Sequence, residues 1–238
     1  MFKVVFIVLL SYAMFASSSA VEDGNSFSFI GVAKDVKSNA ILYKESHEVL
    51  LNTDNDYART SVNYADEEGN VFAKKSLDFT HDLLAPSVYF KDTRVGTSVE
   101  VESNATGLKV KYESTNDQAK AMIEAVPMMV VDAGFDQMML KHWDALVSEE
   151  PLEFEFLAPT RAELIGFTLT PLSQDETVIR FRLAPSNFVL RLLVDPIKLT
   201  YNKTTKRILT YEGLTNIEEV KEGEPTGDYY IARIDYQY

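Results

Sequence analysis

The feature that most constrains this chain is the alternation of apolar and polar side chains at every second residue. Tyr230, Ala232, Ile234, Tyr236 and Tyr238 share one parity at the end of the chain. Near its start Phe27, Phe29, Gly31 and Ala33 alternate with Ser28, Ile30 and Val32. Tyr43, Glu45, His47 and Val49 share a parity within the extended run 41–51. Val71, Ala73, Lys75, Leu77 and Phe79 alternate with Phe72, Lys74, Ser76 and Asp78, and Leu108, Val110 and Tyr112 with Lys109 and Lys111. The second half repeats the pattern: Phe154 and Phe156 against Glu153 and Glu155, Ile179, Phe181 and Leu183 against Arg180 and Arg182, and Ile197, Leu199 and Tyr201 against Lys198 and Thr200. A period of two belongs to a strand with one buried face. Turn-forming stretches at 66–70, 103–107 and 202–205 separate the runs. About ten to twelve strands at this spacing predict a mainly β fold: a large curved antiparallel sheet, half-barrel or barrel-like.

Helix signals are few. Asp132 reads as a cap for a run in which Phe135, Met138, Met139, His142, Trp143 and Leu146 recur every three or four residues. One principal amphipathic α-helix over 132–147 is therefore expected on the concave face of the sheet, filling space that the strands leave open. A shorter helix is expected from Ser186, carrying Phe188, Leu190, Leu192 and Leu193 and ending before Pro196, and a weaker one over Gln118–Ala125.

The first twenty residues read differently. Lys3 gives a positive head, 4–15 is apolar apart from Ser11 and Tyr12, and Ser18 and Ala20 are the small residues before a cut at Val21. Twelve helical residues span about 18 Å, short of a hydrocarbon core of roughly 30 Å. The expectation is a signal peptide at 1–20 and a single mainly β domain at 21–238, soluble, and periplasmic or secreted. The chain has no cysteine, which removes disulfides, thiolate metal sites and cysteine nucleophiles. Its 23 basic against 36 acidic residues, a net charge of −13, disfavour nucleic acid and allow at most a transient membrane contact.

Motifs that carry chemistry are scarce. There is no Gly-x-Ser-x-Gly elbow, no His-Glu-x-x-His and no phosphate-binding glycine loop. Of the three histidines, His142 reads as a packed core residue and His81, beside Asp82, as part of a solvated turn. His47 stands two residues from Glu45 on the same strand face, a pairing suited to proton transfer. Asn52–Asp56 lacks the glycine and distal glutamate of a calcium loop and reads as a polar turn. No metal or cofactor is expected. Fourteen Phe, twelve Tyr and seven Met promise a wide apolar interior. Met128, Met129, Phe135, Met138, Met139 and Trp143 form the candidate ligand-binding set, since adaptable methionine surfaces accept varied apolar ligands.

The segments Gly31-Val32-Ala33-Lys34-Asp35, Leu42–His47, Val131–Asp136, Leu192–Pro196 and Leu209–Gly213 resemble an uncharacterised family of exported proteins of Gram-negative bacteria. More loosely, the layout resembles the half-barrel lipoprotein-localisation carriers, in which a curved antiparallel sheet holds acyl chains under a helical lid. The second likeness rests on architecture alone and implies no catalytic residue. Taken together, these readings favour an exported binding or carrier protein for a hydrophobic small molecule, a lipid or acyl chain. An outer-membrane β-barrel is the alternative, from the alternating aromatic C-terminal segment, and a hydrolase or isomerase using Glu45 and His47 is a third reading. N-terminal sequencing of the exported protein is expected to begin at Val21; an intact Met1 on membrane-retained protein would exclude the signal peptide.

Overall fold

The computed structural model describes residues 25–193 and 195–238; the expected signal peptide and its cleavage site lie outside them. The first half of the chain is an unbroken antiparallel meander: β1 (Ser26–Asp35), β2 (Ile41–Leu51), β3 (Tyr57–Ala65), β4 (Val71–Asp78), β5 (Ser87–Asp92), β6 (Thr97–Asn104), β7 (Gly107–Glu113) and β8 (Gln118–Glu124). A two-residue strand, β9 (Met129–Val130), leads to helices α1 (Gly134–Lys141) and α2 (Trp143–Val147). A second meander follows, with β10 (Leu152–Ala158), β11 (Glu163–Gln174), β12 (Val178–Pro185), a short helix α3 (Phe188–Leu193), β13 (Ile197–Asn202), β14 (Ile208–Lys221) and β15 (Glu224–Gln237). All fifteen strands belong to one sheet, in the order β8 to β1, then β15 down to β9. Every pairing is antiparallel except the short one between β9 and β10. The sheet is large, curved and not closed by hydrogen bonds.

One face of this sheet is continuous from end to end. Tyr43, Glu45 and Val49 on β2, Val62 and Tyr64 on β3, Val99 and Val101 on β6, Phe181 on β12 and Leu199 and Tyr201 on β13 are all buried, as the alternation predicts. The opposite positions, such as Lys44, Glu48, Lys74, Glu102, Lys109, Arg180, Arg182 and Lys198, are exposed. Alternation therefore sorts the chain into a wet outer face and a dry inner one.

Fifteen strands exceed the ten to twelve expected. β11 escapes a sequence reading because Gly166 and Pro171 interrupt its pattern and its residues are mostly half-buried. The weak helix expected over Gln118–Ala125 is instead strand β8. The Ser114–Asp117 turn, closed by a 2.8 Å bond from Ser114 N–H to the Asp117 carbonyl, folds β8 back on β7. Ala119, Ala121 and Ile123 then face the core, so tertiary pairing overrides the helix propensity of Ala, Met and Glu.

The principal helix packs where the 132–147 periodicity places it, with two corrections. It breaks at His142 (φ −105°, ψ 15°) into α1 and α2. Asp132 does not cap it: the cap position is Ala133, and the Asp132 carboxylate instead accepts hydrogen bonds from Lys75 Nζ at 2.7 and 3.0 Å. The chain enters the helix under tight constraint. Val131 N–H bonds the Leu84 carbonyl at 2.9 Å, and a Cβ at Gly134 would lie 1.9 Å from that same oxygen. Only glycine passes beneath the 79–86 connection here. Met138, Met139, Trp143 and Leu146 then pack on Phe154, Leu169, Ile179, Phe181, Leu199 and Tyr201, lining β10 to β13. The meander half holds a separate core around Tyr43, Tyr64, Leu77 and Val110. The β14–β15 hairpin reaches over this second core, with Ile217 fully buried and the Glu218 carbonyl bound by Arg94, whose guanidinium lies 3.6 Å from the Phe72 ring centre.

Trp143 is 5 % exposed and packs against Tyr201 at 6.0 Å. Trp143→Ala is expected to lower stability by about 3–5 kcal/mol. Urea unfolding followed by far-ultraviolet circular dichroism checks this, and an unchanged midpoint would refute the helix-on-sheet core.

Candidate functional site

Strand β2 sends two ionisable side chains inward, two residues apart. Glu45 and His47 meet there, with Nε2 2.9 Å from Oε2. The pair expected from their shared parity is thus formed and mostly covered. Its fit depends on β1: Gly31 pairs with Glu45 in register, and a Cβ at Gly31 would come within 3.0 Å of the Glu45 carboxylate. The Phe29 ring stacks on the imidazole at 4.2 Å and Tyr236 closes its other flank at 6.1 Å. Proton exchange within the pair is geometrically ready, but a reacting molecule must displace aromatic rings to reach it.

Lys75 on β4 enters the same interior and bonds Asp132, under the Tyr64 ring at 6.0 Å. Burial works against the lysine charge, but the Asp132 carboxylate more than offsets it and holds Lys75 protonated, above its ordinary range. Asp136, in the first turn of α1, is the third carboxylate of this interior. Burial raises its pKa to about 6; His47 and Lys75 pull it down and Asp132 pushes it up. Tyr43, Tyr64, Tyr201, Tyr211 and Tyr236 surround the group, each pushed above the ordinary phenol range chiefly by burial.

Asp136 is also where this interior opens. A cavity of about 160 Å³ at one end of the sheet is lined by Phe27, Tyr57, Leu140, Tyr201, Ile208 and Tyr238, with Asp136 at its inner side. The hydroxyl of Tyr201 is buried and lacks a well-formed hydrogen bond, although it lies close enough to Asp136 for each to affect the other's ionisation. Lys206 and Arg207 stand on the same wall. The turn that carries them is pinned by the Asn202 side chain, whose Oδ1 accepts the N–H groups of Thr204 and Thr205 at 2.9 Å. Lys206 takes a left-handed φ of 57°. The Arg207 guanidinium sits 4.6 Å from the ring centres of both Phe27 and Tyr238, and Lys206 Nζ 5.9 Å from that of Trp143. Among the described residues neither cation has a carboxylate within ion-pair distance. A broader hollow of about 400 Å³ lies across β3 to β6, lined by Arg59, Asp78, Tyr89, Glu100 and Glu102 among others.

The six residues expected to line a ligand pocket do not line either cavity. Met138, Met139 and Trp143 are buried in the α1–α2 core, with Met128 and Phe135 packed against it at its edge; Met129 joins the other core. Their sequence pattern reports burial, and the structure places them in or against the two apolar cores. Tyr57, Asp136, Tyr238 and the hairpin that carries Tyr201 and Arg207 come together from four separate stretches, which no local spacing reveals. A weaker signal was available in Lys206-Arg207, two cations beside a turn in an acidic chain. His142 ends α1 with its Nε2 buried and unpartnered, His81 is exposed, and Asn52 caps its own turn by accepting from Asp54 and Asp56.

No family model, curated protein or solved structure matches this chain.

The Asp136 shift makes a stability prediction. Its folded pKa, about 6, lies above the unstructured value of 3.8. Below the lower value both states bind the proton. Between the two only the unfolded chain ionises, so stability falls as pH rises, and above about 6 the loss is complete. Asp136→Asn is expected to remove this slope, gaining about 2 kcal/mol relative to wild type between about pH 4 and about pH 7. Urea midpoints of both proteins across that range test it; parallel curves would show that Asp136 is not perturbed.

Proposed function

We propose that the protein is an exported binding or carrier protein for an apolar ligand with an acidic head, a fatty acid or similar acyl chain, held in the cavity between Tyr57, Tyr201 and Tyr238. The observation that carries this reading is the pair Lys206 and Arg207. In a chain of net charge −13, two adjacent cations with no carboxylate in ion-pair contact among the described residues stand beside an aromatic-walled cavity. An anionic head at the wall and an apolar segment between the rings fit that arrangement. The cavity holds about five water-sized groups of roughly 30 Å³ each, so it takes a short acyl segment rather than a whole lipid. About five methylenes at ~0.8 kcal/mol each, with one charge-assisted contact, support an affinity on the order of 0.1 mM.

The outer face speaks against the membrane-barrel alternative. Its alternate positions carry Lys44, Glu48, Lys74, Glu102, Lys109, Arg180 and Arg182, which a hydrocarbon environment penalises. The acid–base reading keeps one favourable observation, the 2.9 Å contact between Glu45 and His47, and the loss of any hydrolytic activity in Glu45→Gln would support it.

Bromine quenches indole fluorescence at short range, and Trp143 is the only tryptophan. A bromine-tagged decanoate is expected to quench Trp143, with recovery on adding plain decanoate. Lys206→Gln with Arg207→Gln should weaken binding about tenfold. Quenching indifferent to both substitutions, or no quenching, refutes the proposed site.

A further inference from the structure

The connection between β12 and β13 presents a feature that the cavity does not use. Helix α3 exposes Phe188 (71 %), Val189 (61 %) and Leu192 (70 %) on a six-residue element. Such a short helix is not stable by itself in water. It is held by local bonds instead: the Asn187 carboxamide oxygen accepts the N–H groups of Val189 and Leu190, and Arg191 Nε donates to the Pro185 carbonyl. The chain thus fixes an apolar knuckle in place without burying it, where a core-packing role would have turned these side chains inward.

We propose that this knuckle inserts into the headgroup region of a lipid bilayer and docks the protein there transiently. The area argues for lipid over a second copy. Even if all three side chains were as large as an aromatic, about 150–250 Å² each, an exposure of about two-thirds would present at most roughly 500 Å². A stable protein interface takes about 800 Å² from each partner. Insertion into an interface needs no matching partner surface, and an apolar helix face lying in the plane of that zone enters it by about 5–10 Å, within reach of side chains that stand clear of the protein. The surroundings agree. Leu214 and Ile231, paired across β14 and β15, are exposed at the same end of the sheet, 43 % and 51 %. Arg182 and Arg191, both exposed, supply guanidinium groups at the base of the knuckle for lipid phosphates. The cavity lies at the other end: β13 runs from Ile197 beside α3 to Tyr201 at the cavity. The docking surface therefore does not rest on the ligand reading.

Because the chain has no cysteine, a single label can be placed without background. Phe188→Cys carrying an environment-sensitive nitrobenzoxadiazole dye is mixed with phosphatidylcholine vesicles, with Lys74→Cys on the outer face of β4 as control. The emission at 188 is expected to shift to the blue and brighten severalfold, with no change at 74. In a flotation assay the unlabelled protein should rise with the vesicles, and Val189→Ser with Leu192→Ser should cut the bound fraction about tenfold at unchanged circular dichroism. No blue shift at 188, an equal shift at 74, or undiminished flotation of the folded variant overturns the proposal. So does a concentration-dependent dimer in sedimentation equilibrium that the variant abolishes while vesicles remain unbound, which would assign the knuckle to self-association.

Discussion

The antiparallel joint between β1 and β15, running from Ile30 opposite Gln237 to Asp35 opposite Ala232, is the contact on which the rest of the structure depends. It ties the first described strand to the last and so merges two meanders into one sheet. Without it each meander would present two long free edges, a liability in water. With it, strand twist accumulates across fifteen neighbours and the sheet curls. The concave face is then too wide for strand side chains alone to fill. The α1–α2 segment packs one half, against β10 to β13, and the β14–β15 hairpin reaches over the other.

A wide interior also explains the buried charges. Near the joint the space is filled by long polar side chains: Glu45, His47, Lys75, Asp132 and Asp136, set among tyrosines. Such groups are costly to bury unless each is matched. Glu45 has His47, and Asp132 has Lys75, at hydrogen-bonding distance. Asp136 has no cationic partner in ion-pair contact among the described residues, only the Tyr201 hydroxyl beside it, and burial raises its pKa to about 6. The unmatched group lies where the interior meets the cavity, beside the unpartnered hydroxyl of Tyr201. Polar groups left unmatched in a native interior call for a physical reason, and here the reason is access to solvent at the opening.

Much of the fold was legible because burial on one face leaves a period-two trace. The parity of Phe29, Gly31 and Ala33, of Tyr43, Glu45 and His47, and of Ala232, Ile234 and Tyr236 identifies the inner face strand by strand, and the Glu45–His47 contact follows from parity alone. β8 was misread because Ala119 and Ala121 suit a helix as well as a strand, and only the hairpin with β7 decides between them. The cavity was not legible. Met138, Met139 and Trp143 are marked by periodicity as buried, but whether buried side chains touch or leave a gap depends on the curvature of the sheet. That curvature is set by pairings between residues two hundred positions apart.

The sheet also separates what each end can do. Its strands expose single apolar side chains, such as Val71, Met122 and Leu172, each on a separate strand; the β12–β13 connection instead gathers three on one short helix. At one end the β13–β14 turn aims Lys206 and Arg207 past aromatic rings beside an opening. At the other, the β12–β13 connection lifts Phe188, Val189 and Leu192 clear of the core. Both features belong to turns of β13, a strand whose own inner residues, Leu199 and Tyr201, are locked against the α1–α2 core. A strand anchored by Trp143 and carrying a pinned connection at each end keeps two surface features apart, so that a change in one connection need not disturb the other.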